Sequence, residues 1–179
     1  MTADTHAGDF LVATPLVGGA PFWQSVVLLL EHDESGAIGV ILNAQTEAPV
    51  SDHVPALADL ATAPATVFVG GPVQTDTALV LVRSFSADFL RPSHLGDIGL
   101  IDPDEMPDDV LDLRVYAGYS GWDPGQLEAE LEEGAWWVLP ADRDVIFTDD
   151  PQTLWDRIVA TAPGRIPLHR TFPVDLTTN

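Results

Sequence analysis

The chain has 179 residues, 46% apolar and 20% charged, a balance that supports one domain with a real core and excludes a disordered acidic tail. Twenty-eight side chains are Asp or Glu and seven are Arg, with no Lys, giving a net charge of -21. So negative a surface opposes phosphate backbones and anionic membranes, and the absence of Cys excludes disulfides, thiolate nucleophiles and cysteine metal sites.

Residues 1–9 carry acids where a secretory leader needs Lys or Arg. The longest aliphatic run, Val26 to Leu30, has five residues, against roughly 20 for a membrane-spanning helix. The expectation is a cytoplasmic protein without membrane association. It is a single domain over 1–179, with a flexible N-terminus over 1–7 and a C-terminal extension over 170–179.

Short apolar runs recur between turn signals. Phe10 to Ala13 reads as a strand ahead of Thr14-Pro15. Ser25 to His32 is a continuous Val/Leu run, the pattern of a strand buried on both faces. After the polar turn Glu31-His32-Asp33-Glu34-Ser35-Gly36, Ile38 to Asn43 returns as its hairpin partner. Ser51 can cap a short helix carrying Val54, Leu57, Ala58 and Ala61. Thr66 to Val69 is a strand stopped by Gly70-Gly71-Pro72. Ala78 to Val82, Gly99 to Ile101 and Leu113 to Ala117 are further strands, with a short acidic helix over 103–111 between the last two.

Helix signals concentrate in the C-terminal third. Asp123 is a good N-cap, Pro124 suits the first helical position, and Gln126 three residues on completes a capping box. Trp122 can staple onto Leu127, with Leu131 also inward and Gly134 ending the helix. Trp136 to Leu139 and Val145 to Phe147 read as strands, the Trp136-Trp137 pair placing one ring in the core and one toward a groove or partner. Asp150-Pro151 opens a last helix striped by Leu154, Trp155, Ile158 and Val159, ending near Pro163-Gly164. Strands in succession followed by mixed helices give an α+β class.

Three constellations invite chemistry. Gly118-Tyr119-Ser120-Gly121-Trp122 resembles a nucleophile elbow, but the small residue needed two places after the serine is Trp122. A tight turn feeding a capped helix is the plainer reading. Glu31-His32-Asp33 has metal-ligand side chains, yet on a strand Glu31 and Asp33 share one face while His32 points to the other. Gly70-Gly71-Pro72 could let a backbone approach a ligand, but lacks the Lys and Ser/Thr of a phosphate loop.

Taken together, Phe10 to Pro15, Ser25 to Asp33 and Gly36 to Asn43 resemble the N-terminal signature of the YqgE/AlgH family. Val67 to Val73 is similar to its central motif. Ala117 to Trp122, Pro124 to Glu128 and Gly134 to Trp137 are similar to its third block. The resemblance runs over roughly residues 8 to 160. One departure is that the family usually follows this asparagine with Arg-Pro, whereas Asn43 is followed by Ala44-Gln45. The family also commonly has Ala where Ser120 stands, which a nucleophile could not tolerate.

The resemblance implies a mixed, largely antiparallel sheet with a few helices, a compact complex α/β fold of two interlocked subdomains. It implies no established chemistry, only a transcriptional-regulator label on one branch. The leading expectation is a non-enzymatic binding protein without cofactor or metal, for a small ligand or a protein partner and not for nucleic acid. Its cleft would join the motif blocks through Glu31, His32, Asn43, Gly70, Gly71, Ser120, Gly121 and Trp122. Asn43 and Ser120 would supply hydrogen bonds, Trp122 an apolar wall and the glycines close approach. The competing expectation is a hydrolase or metal-dependent enzyme around Glu31, His32, Asp33 and Ser120.

Overall fold

A computed structural model describes residues 5–89, 91–92, 94–164 and 166–167. Among these residues the chain forms β1 (Asp9–Ala13), β2 (Val26–Asp33), β3 (Gly36–Ile41) and β4 (Gln45–Pro49). Helix α1 (Val50–His53) and a 3-10 turn (Pro55–Leu57) lead to β5 (Thr66–Val69), β6 (Val73–Arg83), β7 (Arg91–Pro92) and β8 (Ile98–Ile101). Then come β9 (Asp112–Trp122), α2 (Gln126–Glu132), β10 (Trp136–Pro140), 3-10 turns at Arg143–Val145 and Pro151–Thr153, and α3 (Leu154–Thr161).

The sheet runs β10-β1-β2-β3-β9-β6-β8-β7, with β4 and β5 branching off β9. Every pairing is antiparallel except β5 on β9. Strand β9 joins the two strand groups. Its first half lies against β6 and β5, and its last three residues pair with β3. The result is the expected α+β class with a mixed, mainly antiparallel sheet.

The uninterrupted apolar run of β2 is explained by cores on both faces. Val26, Leu28 and Leu30 join a cluster with Phe10, Phe68 and the α3 residues Leu154, Trp155 and Val159. Val27 and Leu29 face the other way, onto Trp122, Leu127 and Trp136 under α2. A third cluster, with Val50, Leu57, Val82 and Val115, lies beneath α1.

Several sequence expectations are corrected. Residues 103–111 form turns and no helix, since two prolines remove backbone donors and the acids leave little apolar stripe. Residues 145–147 belong to a 3-10 helix and the turn that follows it, with Ile146 and Phe147 buried there by packing and not by pairing. The turn expected at 118–121 is the continuing end of β9, which Gly118 enters at φ +67. Helix α2 starts at Gln126 after Gly125, although half of the expected box is present: the Asp123 N–H donates to Gln126 Oε1 at 3.0 Å. Both rings of the tryptophan pair pack on protein, Trp136 in the cluster under α2 and Trp137 against the cluster under α3. Of the expected flexible start, Thr5 and His6 are tied to His32, while residues 1–4 and 170–179 lie outside the described residues.

Candidate functional site

Sheet alternation sorts the residues singled out from sequence. On β2, Glu31 and Asp33 open to one face and His32 to the other, as the spacing anticipates. The register sets Ala37 between His32 and Trp122, and Ile38 between Glu31 and Gly121. Glu31, Asp33, Gly121 and Trp122 therefore line one open cleft, whereas the His32 ring and the Trp122 indole face α2.

Below α2 the polar atoms are paired. His32 Nδ1 accepts from the His6 N–H at 3.1 Å, so in the neutral ring Nε2 carries the proton and donates to Glu128 Oε1 at 2.9 Å. The His6 ring stacks on His32 with centroids 5.6 Å apart, and Thr5 Oγ1 donates to the His32 carbonyl. Its own backbone N–H, and then the His32 bond, hold the Glu128 carboxyl below its usual range. Two positions on, Glu130 Oε2 accepts from the indole N–H of both Trp122 and Trp136 at 2.8 Å, fixing two rings that meet edge to face.

Asn43, Gly70, Gly71 and Ser120 are engaged by the scaffold. Asn43 accepts from the Val26 N–H and donates to the Gln24 carbonyl, which closes the loop entering β2. A Cβ on Gly70 would come within 2.2 Å of the Gly118 carbonyl oxygen, and one on Gly71 within 2.2 Å of the Tyr119 carbonyl carbon. The close approach these glycines permit is therefore to β9. Ser120 is fully buried and its hydroxyl donates to the Gly70 carbonyl at 3.0 Å.

Two openings remain on this part of the molecule. The first, of about 330 Å³, lies over the β2–β3–β9 end and is lined by Glu31, Asp33, Tyr119, Gly121 and Asp123. The second, of about 490 Å³, sits between β4–α1 and β6–β9. Its floor is Val54, Val67 and Val115, and its rim carries His53, Asp76 and Thr77. Among the described residues no three His, Asp or Glu side chains come together as metal ligands.

The AlgH-like family pattern matches residues 10–167. The chain belongs to the AlgH-like family. A UPF0301 protein of Streptomyces avermitilis is 42% identical, over 96% of this chain and 94% of its own. One of Thermobifida fusca is 38% identical, again over 96% and 94%. Among solved structures, a Corynebacterium diphtheriae protein superposes with TM-score 0.82 at 27% identity, covering 96% of this chain and 95% of its own. The solution structure of AlgH from Pseudomonas aeruginosa, a UPF0301 protein, superposes at 0.71 with 28% identity and 97% coverage of each chain.

Within this AlgH-like fold, the departure at Ala44-Gln45 falls where β3 hands over to β4. The Ala44 carbonyl accepts from the Val69 N–H and Gln45 pairs with Phe68. The larger pocket lies just beyond and escaped the sequence reading. Strand β4 reads Gln-Thr-Glu-Ala-Pro, with no apolar run to announce it. The other wall forms where β6 bulges off β9 between Val73 and Ala78, with Gln74 at φ +50. Only the alternating threonines at 75 and 77 could have signalled it.

Proposed function

We propose that this AlgH-like protein acts by binding and not by turnover, and that a small, mainly apolar ligand occupies the pocket between β4–α1 and β6–β9. The observation that carries the reading is the pocket itself. Its size falls in the range of small-molecule sites, its floor is aliphatic, and a few polar groups at the rim could orient a guest. The engaged state of Ser120 supports the non-catalytic half, because a nucleophile needs a hydroxyl that a substrate can reach. The -21 charge weighs against direct contact with DNA, so a regulatory role would run through the ligand or a protein partner. A cytoplasmic setting belongs to the same proposal.

A thermal-shift screen against metabolites, nucleotides, divalent metals and short DNA duplexes tests it. A ligand at about 100 times its dissociation constant adds roughly 2.7 kcal/mol, which is about 5 to 11 °C for a domain of this size. The expected result is a shift from an apolar metabolite that Ala78→Trp, placing a ring at the pocket mouth, removes and Glu31→Gln/Asp33→Asn leaves intact. The opposite pattern would move the site to the β2–β3–β9 cleft. A shift from a metal alone would restore the enzyme reading.

A further inference from the structure

The other unusual surface lies at the far side of β6, where Phe85 is 78% exposed and Leu111 55%. Both line one groove of about 560 Å³ with Arg83, Asp97, Asp142 and Asp144. Phe85 is presented on an anchored loop. Asp109 accepts from the hydroxyls of Ser84 and Ser86 and from the Phe85 N–H at 3.1 Å, and the Leu111 N–H donates to the Arg83 carbonyl at 2.9 Å. These bonds hold the two apolar side chains against water, at a cost that a partner would recover.

The charges say what that partner carries. Arg83 pairs with Asp112 at 3.1 Å and lies over the Phe147 ring, and Arg143 pairs with Asp97. Both cations of the groove are thus committed, while Asp142 and Asp144 line it, and Asp109 anchors its Phe85 loop, without a cation of their own among these pairs. The hydrogen bonds from Ser84 and Ser86 hold the Asp109 carboxyl below its ordinary range, so it stays charged near neutrality. A second copy of this chain would bring the same excess of carboxylates and a further -21.

We propose that the Phe85–Leu111 groove docks a basic polypeptide segment, with one bulky apolar residue seated between Phe85 and Leu111 and flanking Lys or Arg on Asp109, Asp142 and Asp144. The site is separate from the ligand pocket and stands whether or not that pocket is filled. Its test is an NMR titration of the isotope-labelled protein with a short synthetic lysine–leucine peptide, beside lysine–serine and glutamate–leucine peptides of equal length. The lysine–leucine peptide is expected to move amides in segments 83–86, 109–112 and 141–144. Phe85→Glu and Leu111→Glu, both at exposed positions, should weaken it roughly tenfold or more without changing the melting temperature appreciably. Equal binding of the lysine–serine peptide, shifts scattered over the whole acidic surface, or an unaffected Phe85→Glu variant would each overturn the proposal. So would concentration-dependent shifts in those segments without peptide, which would make the occupant a second copy.

Discussion

The residues that carry the motif blocks are spent on one another. Asn43 closes a loop, Gly70 and Gly71 let one strand turn pass against β9, Ser120 satisfies the Gly70 carbonyl, and Trp122 shares a carboxylate with Trp136. Polar side chains become recurrent in a sequence pattern when leaving a buried backbone group unpaired would cost about 1 to 3 kcal/mol, with no ligand needed. Tyr116 gives this buried interior a measurable signature. Burial raises its phenol to about 12, against the opposing pull of neighbouring Arg114. The folded state therefore keeps a proton that the unfolded chain releases from about pH 10, so stability is full below pH 10 and falls as pH climbs toward 12. The loss attributable to Tyr116 is on the order of 2 to 3 kcal/mol. Urea unfolding across that window should show a shallower decline in Tyr116→Phe. An identical decline in the variant would place the alkaline loss elsewhere.

At the scale of elements, Arg114 on β9 does work that no motif announces. It is almost wholly buried, its guanidinium lies 4.3 Å over the Phe68 ring, and it donates to the carbonyls of Ala63, Ile146 and Thr148. One cation thus ties the loop before β5 and the turns before α3 to the sheet. Burial lowers its pKa from the ordinary arginine value, yet no carboxylate is needed because three carbonyl dipoles converge on it. Arg114→Met should cost about 3 to 5 kcal/mol and speed hydrogen exchange across 146–148. Arg114→Lys should recover only part, since a single ammonium cannot span three carbonyls on different segments. A lysine variant as stable as the parent would refute this. The same residue shows what sequence can and cannot disclose. The apolar runs of β1, β2, β3 and β5 were legible because burial writes a local pattern, and so was the last helix from its stripe. Residues 145–147 were misread as a strand because Ile146 and Phe147 are held in a core cluster whose other members, such as Phe10, Leu28 and Tyr116, lie far away in the chain. Among the cleft residues, Glu31 and Asp33 were correctly set apart from His32 by period-2 alternation. That Ser120 and Gly70 meet across 50 residues is a matter of strand register, which no window reveals.

For the whole molecule the governing quantity is the charge of -21. Seven arginines cannot neutralise 28 carboxylates, and of the arginines described here Arg83 and Arg143 take a carboxylate each while Arg114 takes carbonyls. The compact state gathers like charges that the unfolded chain spreads out, so repulsion should subtract from stability wherever salt does not screen it. The screening length shrinks from about 30 Å at 0.01 M salt to about 3 Å at 1 M, passing through the spacing of neighbouring surface carboxylates. The melting temperature should therefore rise with sodium chloride by at least about 4 °C, equivalent to roughly 1 to 2 kcal/mol, and then level off. Salts that act by exclusion from the protein surface raise stability without such a plateau, so the levelling identifies the electrostatic part. Glu34→Lys/Asp59→Lys, two exposed positions outside both proposed sites, should raise the melting temperature at low salt and flatten the curve. A melting temperature that is flat in salt, or that climbs without levelling, would mean that the acidic surface is tolerated at no cost to the fold. The composition would then need another cause than a balance between solubility and self-repulsion.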